Sequence, residues 1–354
     1  MIILLLLAGC RGGEALLAQD APTFLFRIYE DNDFINTRGL GTDNAYTNGT
    51  RVDLFYTKRH PSRHAWDRFM PKAGANSVNV YGWGIMQLMF TPNDISVADY
   101  QPDDYPYSGA LVATHTLYSY NPVKKFDLQT ELVAGVIGPA SLAKQTQIAV
   151  HRLIHYQRPM GWSHQFRNDL LLNVNMTAEK QLAAWGHTLE VIGGAQVFAG
   201  TMMNGLAFYP LIRIGNMNPY FQGYISQYSG GRTENRRRKK WQAYLILKPE
   251  AQIIFTDALL EGGVFTGNPN TKHGHLPDGG GGDLQAAKGG NSSADKSTVA
   301  PPYRGLRNWV YALNYGAVVS SGNFSMSFTQ NTSSPSMKGL YSHEVGNISL
   351  YYSW

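Results

Sequence analysis

The final twelve residues, HEVGNISLYYSW, restrict the fold of this chain more than any other stretch. Large apolar side chains stand at every second position, namely Ile348, Leu350, Tyr352 and Trp354, and Asn347, Ser349, Tyr351 and Ser353 lie between them. A period of two predicts a β-strand with one apolar face. Because open apolar edges aggregate, a soluble protein seldom ends on such a strand, and the last strand of a soluble β-sandwich is the alternative interpretation.

A closed barrel in an outer membrane requires this pattern. Its strands turn apolar side chains to the lipid and polar ones to the lumen, with aromatic residues at both interfaces. The sequence contains 37 Gly and 21 Tyr and, beyond the leader, no run of 18 apolar residues, which excludes ordinary transmembrane helices. The terminal Trp354 also resembles the C-terminal signal of bacterial outer-membrane proteins. We therefore predict an integral protein of the bacterial outer membrane.

Alternating or apolar segments separated by turn residues predict about 12 strands. They cover residues 24–29, 50–56, 78–90, 109–120, 126–137, 165–176, 188–198, 206–214, 241–255, 309–319, 323–329 and the closing stretch. The predicted fold is all-β, a single antiparallel transmembrane β-barrel of residues 19–354. Apolar residues at helical spacing predict a short helix over 141–154 in an extracellular loop. The Gly- and Ser-rich stretch 268–302 predicts a flexible loop.

The leader has a short apolar core followed by small residues and predicts a secretion signal. One interpretation is a signal peptide of residues 1–18; the other takes LAGC as a lipoprotein box with Cys10 lipidated. Cys10 is the only cysteine, so an intrachain disulfide and a cysteine metal site are excluded. The formal net charge of +5 is modest and no nucleic-acid motif is visible, so we predict no nucleic-acid partner. The basic run at 232–240 predicts a solvated loop, with anionic lipid contact as the alternative.

Acidic and amide residues gather in the stretch YEDNDFINTRGLGTDNAYTNG near the start. They are Glu30, Asp31, Asn32, Asp33, Asp43 and Asn44. Carboxylate, amide and carbonyl oxygens are the ligands that Ca²⁺ prefers, about six to eight per ion. The spacing is not that of an EF-hand loop, and an acidic loop of this kind is also compatible with plain solvation.

Four motifs, in order over residues 24–169, resemble those of the LpxR-type lipid A 3′-O-deacylases, a family of outer-membrane barrel enzymes. EDNDF followed by TDNAYTNG is similar to the family pattern ENDxF…TDRxYTNG. DDYPYSGAL resembles DDRPYAG, GVIGPASLAKQTQIAVHRLIH resembles GxIGPxA…Q…Q…H, and GWSHQFRND resembles GWxxQxxNE. The motifs are specific only in combination, and the barrel resemblance continues more weakly to Trp354.

The resemblance implies a Ca²⁺-dependent hydrolase that removes the 3′-acyloxyacyl chain from lipid A of lipopolysaccharide. The active site would face the outer leaflet, lipopolysaccharide and outer-membrane lipids would be the partners, and the protein would be a monomer. The family's catalytic histidine falls on His151, whose imidazole would activate water. Its active-site glutamine falls on Gln147, one helical turn earlier, and its active-site threonine on Thr47.

The same resemblance places Ca²⁺ beside Asp31, Asn32 and Asp33, where it would stabilise the developing oxyanion. The family's Asn–Asp pair is exchanged here to Asp31–Asn32, so Asp33 is an alternative source of the carboxylate. The arginine of DDRPYAG is Tyr105, and TPNDISVADYQ offers no base where the family has a Lys–Arg pair. These exchanges imply a different headgroup charge or a weaker dependence on lipid A phosphate.

Two other hypotheses fit such a barrel. An outer-membrane phospholipase would also have twelve strands and a calcium requirement, but it uses a serine nucleophile with a histidine. No serine motif in this sequence stands near a matching histidine. A porin-like barrel without catalysis would conduct ions and would tolerate the loss of His151.

Overall fold

The computed structural model describes residues 24–37, 45–60, 62–229, 239–268 and 305–354. Within these ranges twelve antiparallel strands form one closed barrel, in which each strand pairs with its neighbours in sequence and the first pairs with the last. The strands are β1 (Phe24–Asn32), β2 (Ala45–Thr57), β3 (Val78–Thr91), β4 (Ser108–Asn121), β5 (Phe126–Ile137), β6 (Asp169–Trp185), β7 (Leu189–Gly200), β8 (Met203–Asn216), β9 (Trp241–Asp257), β10 (Trp309–Ser321), β11 (Phe324–Ser333) and β12 (His343–Ser353). The predicted all-β barrel is confirmed.

Each predicted strand overlaps an observed one, and the largest deviation is at β6. This strand begins only at Asp169, because residues 161–164 form a 3₁₀ turn, and it continues to Trp185. The connections in the described ranges contain the short helices α1 (Ala65–Phe69), α2 (Ala143–Leu153), α3 (Tyr224–Gln227) and α4 (Ala258–Glu261). α2 confirms the helix predicted over 141–154. In the part of the chain described, no helix is both long and apolar enough to cross a membrane.

The closing strand β12 shows how the alternation is used. Ile348, Leu350 and Tyr352 are exposed on the outside, whereas Ser349 and Tyr351 are buried in the lumen. The strand pairs with β11 on one side and β1 on the other, so neither edge is open. Exposed aromatic side chains form a belt at each end of the barrel: Trp185, Trp241, Phe324, Tyr352 and Trp354 at one, and Phe255, Trp309 and Tyr311 at the other.

We assign the end that holds Phe24 and Trp354 as periplasmic, because its connections 122–125, 186–188 and 322–323 are tight turns of the kind found there. The extracellular end then carries the longer connections 92–107, 138–168 and 258–308. Two periplasmic connections, 58–77 and 217–240, are long. The described residues of the first fold back along the outside of the wall, and residues 217–229 of the second fold back into the lumen.

Residues 217–229 fill the periplasmic half of the lumen. Tyr224 packs between Phe55 and Tyr118 at ring-centroid distances of 4.8 and 5.0 Å. Tyr228 stacks on Tyr351 of β12 at 4.1 Å. Gln242 of β9 donates from Nε2 to the Ser226 carbonyl at 3.1 Å, which ties the segment to the wall. This end of the lumen is therefore packed with side chains.

Ion pairs occupy the middle of the lumen. Arg27 contacts Asp53 at 2.6 Å, and Arg51 bridges Asp53 at 2.8 Å and Glu131 at 2.6 Å, so these charges are paired as burial requires. At the extracellular end, Leu259 and Leu260 of α4 turn inward and join a core that includes Phe90 and Tyr105.

Several sequence predictions fall on parts of the chain that the structure does not describe. The leader, with both cleavage interpretations, lies there, as do Asp43, most of the basic run and nearly all of the predicted flexible loop. These remain predictions.

Candidate active site

Helix α2 lies against the outside of the barrel wall. Its first residue, Ala143, sits over Gly109 of β4, and Gln87 of β3 donates from Nε2 to the Ser141 carbonyl at 2.7 Å. Gly109 faces outward because its neighbour Ser108 donates to the Leu259 carbonyl inside the lumen. The helix thus covers the extracellular rim of β3 and β4 from the lipid side.

One face of α2 carries two of the predicted site residues. Ala143, Gln147 and His151, spaced four residues apart, are the buried residues of the helix and face the wall. Apolar side chains on the remaining surface are exposed, namely Leu142, Val150, Leu153 and Ile154. Lys144, Gln145 and Arg152 are exposed on the same helix. At a membrane rim, the exposed apolar side chains are suited to contact with acyl chains.

His151 is held in one tautomer. Its Nδ1 lies 2.5 Å from the carbonyl oxygen of Gln157, and a carbonyl can only accept, so Nδ1 carries the proton and Nε2 the lone pair. The chain returns to His151 through His155, whose positive φ of 56° makes the turn. The rings of Tyr156 and His151 meet edge to face, with their centroids 5.1 Å apart. His155 itself points away and is exposed, so the two histidines are distinguished by geometry.

Gln147 has one satisfied and one unsatisfied end. The indole Nε1 of Trp162 donates to its Oε1 at 2.7 Å, and because indole nitrogen only donates, the amide orientation is determined. Its Nε2 is buried without a hydrogen-bond partner among the described residues. Buried donors are normally paired, so an unpaired one beside a candidate base is suited to receive an oxyanion.

The predicted residues of β1 divide between the two sides of the wall. Asp31 points into the lumen, where it accepts from Tyr46 at 3.2 Å and Asn347 at 3.0 Å as well as from Tyr29. Asn32 alternates to the outer side and caps a 3₁₀ turn by accepting from the Phe34 amide at 2.8 Å. Asp33 is buried within that turn.

Glu30 provides a carboxylate on the outer side, and the sequence interpretation did not select it. It accepts from Thr50 at 2.6 Å and from Asn48, both on β2. The signal was present in the sequence, because Glu30 follows Phe24, Phe26 and Ile28 at period two and therefore shares their lipid-facing side.

Thr47 lies beside this group, at a bulge in β2 where the pairing with β3 shifts. It is buried, and its hydroxyl is 2.7 Å from that of Thr91. Asn48 pairs in register with Met89, which packs in one cluster with Ala143 and Trp162. Strand β3 therefore lies between the polar residues at the extracellular ends of β1 and β2 and the first turn of α2.

The oxygen atoms on the outer side of the wall are of the type that Ca²⁺ binds. Glu30 offers a carboxylate, Asn32 and Asn48 offer amide oxygens, and Ca²⁺ prefers such hard oxygen ligands. Within the described ranges, no three His, Cys, Asp or Glu side chains come together as a metal site, so a cation there would depend on neutral oxygens beside one carboxylate.

Tyr105, which replaces the family's arginine, has a structural role. Its ring is fully buried, its hydroxyl donates to the Tyr341 carbonyl at 3.2 Å and accepts from the Ser336 amide at 3.2 Å. It therefore ties loop 92–107 to loop 334–342 and offers no charge to a substrate.

A closed twelve-stranded barrel with two aromatic belts and an apolar outer surface defines an integral outer-membrane protein. The family described as "Outer membrane protein LpxR" matches residues 1–278. The chain therefore belongs to the LpxR family, and the resemblance found in its motifs is confirmed.

One solved structure agrees with this assignment at the level of the fold. LpxR from Salmonella typhimurium matches with a TM-score of 0.66 at 12% identity, over 93% of this chain and 99% of that one. The β domain of the Bordetella autotransporter BrkA follows with a TM-score of 0.41 at 8% identity, over 94% and 99% of the two chains. The translocator domain of NalP from Neisseria meningitidis has a TM-score of 0.37 at 10% identity, over 94% and 89%. The comparison with curated proteins finds no match.

Proposed function

We propose that this protein is a Ca²⁺-dependent hydrolase that removes the 3′-acyloxyacyl chain from lipid A in the outer leaflet, acting as a monomer. The observation that carries the proposal is the position of His151, on the lipid side of the wall with its Nδ1 proton bound to the Gln157 carbonyl. A base on the lipid side of the wall can reach lipid A while this substrate stays anchored in the membrane.

The residues of α2 support an ester hydrolysis. Nε2 of His151 takes a proton from water as the water oxygen attacks the ester carbonyl. The Nε2 amide group of Gln147 donates to the carbonyl oxygen as it becomes negative. Collapse breaks the bond to the 3′ oxygen of the sugar, which takes the proton back from His151, and the acyloxyacyl acid leaves.

Ca²⁺, when bound, would polarise the ester carbonyl. Asn32, Asn48 and Glu30 would hold it on the outer side, since Asp31 faces the lumen. Asp33 and Thr47 flank this position and would support the ligands or the substrate.

The two alternatives receive less support. The described chain does contain a serine–histidine pair, Ser333 and His343, with Oγ 3.1 Å from Nδ1. His343 alternates with Asn347 and Tyr351 on the lumen side of β12, away from the lipid, which does not suit a phospholipase. A porin function is opposed by residues 217–229, which fill the lumen.

The test is mass spectrometry of lipid A after incubation with the detergent-purified protein, with Ca²⁺ or with a chelator. We expect loss of one acyloxyacyl unit with Ca²⁺ only, abolished in His151→Ala and retained in the matched control His155→Ala. Fatty acid release from phospholipid with unchanged lipid A would move the assignment to a phospholipase. Equal activity of the two histidine variants would exclude His151 as the base.

A further inference from the structure

The connection between β2 and β3 is longer than strand pairing requires. These strands are neighbours, which a turn of a few residues can join, yet 20 residues (58–77) intervene. We call residues 58–60 and 62–73 the wall segment, because they run back over the outside of the barrel.

The wall segment covers the outer face of β3 and β4. Thr114 and Thr116 of β4 bond the lumen residues Arg51 and Glu131, so the intervening His115 points outward. Asp67 of α1 lies 2.6 Å from Nε2 of His115.

Further contacts fix the wall segment along its length. Met70 packs on Tyr81 and Leu117, all three buried. The Ala73 amide donates to the Ser119 hydroxyl at 3.0 Å, and Asn121 donates to the Ala73 carbonyl at 3.2 Å.

The one acidic side chain of the wall segment is directed inward and neutralised. Asp67 is 1% exposed, and Lys58 reaches it at 3.0 Å while lying 4.0 Å from the ring centroid of Tyr81. The outward surface is consequently apolar and basic. Trp66 and Phe69 are 46% and 83% exposed, and Arg59, Arg63 and Arg68 are exposed beside them.

The surface extends from the periplasmic interface into the periplasmic leaflet of the membrane. The wall segment contacts Asn121 at the end of β4, and it contacts His115 six residues earlier, about 20 Å along the strand and about 15 Å in height at a typical tilt. Elsewhere at this end the strands expose their own aromatic belt, for example Trp185 and Trp241. On β3 the belt residue Tyr81 is covered, and Trp66 and Phe69 take the outer position.

We propose that the wall segment binds anionic glycerophospholipid of the periplasmic leaflet. Trp66 and Phe69 enter between the acyl chains, and the guanidinium groups of Arg59, Arg63 and Arg68 hold the headgroup phosphate. Arginine forks pair with phosphate oxygens in a bidentate manner. Three arginines that form no ion pair with an acidic side chain of the described residues favour a lipid with net negative charge over a zwitterionic one. The surface lies at the opposite end of the barrel from α2, so it is independent of the proposed hydrolysis.

The test is native mass spectrometry of the detergent-solubilised full chain with phosphatidylglycerol or phosphatidylethanolamine added. Wild type should retain phosphatidylglycerol about tenfold better, and R59Q/R63Q/R68Q should lose that preference. The matched control, K124Q/K125Q/K180Q, removes three charges from the neighbouring periplasmic turn and strand end and should keep the preference. W66A/F69A should weaken retention of both lipids.

Wild-type preference in the arginine variant would overturn the proposal, since the three arginines would then not hold the headgroup. Equal loss in the lysine control would also overturn it, since the net charge of the barrel end would then explain the binding. Heat-modifiable migration on gels checks that each variant is folded. Lipid A turnover in detergent should be the same in all of them, which separates this result from any failure of the proposed activity.

Discussion

Docking of α2 on the wall depends on the absence of a side chain at Gly109. A Cβ at this position would lie 2.2 Å from Cβ of Ala143 and 2.7 Å from Oγ of Ser141. Carbon atoms in contact lie about 3.5–4.0 Å apart, so Gly109→Ala must push the start of α2 outward by about 1.5 Å. Gln147 and His151 follow Ala143 by one and two turns and would move with it. A misplacement of about 1 Å can cost about 100-fold in rate, and we expect a loss of that order in kcat/KM.

The assay is lipid A deacylation by the purified variant, with heat-modifiable migration to show an intact barrel, because no strand pairing is altered. Ala143→Gly in the same chain removes the nearest clash and should restore part of the activity, a coupling that a double-mutant cycle measures. Gly305→Ala is the matched control, since a Cβ there meets no atom within 4 Å. Wild-type turnover in Gly109→Ala would refute the argument that contact with the wall positions the helix.

Three further predictions follow from other contacts. Trp162→Phe removes the indole donor to Gln147 and should lower kcat for lipid A about tenfold with little change in KM, measured by steady-state kinetics. Burial acts to raise the pKa of Asp67. Hydrogen bonds, of which the one with Ser62 has the largest effect, bring this pKa below its ordinary value. The stability from this carboxylate is therefore present above the unfolded pKa of about 4 and lost as the pH falls through the folded pKa, and Asp67→Asn should remove that dependence in thermal melts across acid pH. In planar bilayers the protein should show no porin-like current, because residues 217–229 fill the lumen; a steady conductance would contradict this packing.

The fold was largely predictable because a lipid-facing strand must alternate, and alternation is written directly into sequence. Ile348, Leu350 and Tyr352 lie on the outside as their spacing indicates, and each predicted strand overlaps an observed one. Strand limits were less predictable. β6 begins four residues later than predicted, because the amide of Gln165 caps the preceding 3₁₀ turn and the amide of Phe166 donates to the Tyr107 carbonyl instead of to a neighbouring strand.

For the candidate site, the motifs and the helical spacing determined that Gln147 and His151 share one face of α2. Only the tertiary structure decided which side of the wall each group occupies. Asp31 is turned into the lumen and Glu30 to the lipid, since one residue of strand register reverses the direction of a side chain. The tautomer of His151 likewise depends on the Gln157 carbonyl, which accepts the hydrogen bond of its Nδ1. A left-handed backbone conformation at His155 places this carbonyl beside the ring, and no periodic pattern in the sequence predicts that conformation.

The wall segment shows the same limit most clearly. Its sequence is rich in basic residues, and its local composition does not indicate that it packs on the outer face of β3 and β4. That Asp67 faces His115 while Trp66 and Phe69 face outward is decided by packing against β3 and β4, and the β4 partners lie 46 to 48 positions away along the chain. The sequence alone determined the strands, the helix and the family, because those follow from local periodicity and short motifs. Long-range packing decided where the polar groups meet, because it depends on which distant side chains share one side of the wall.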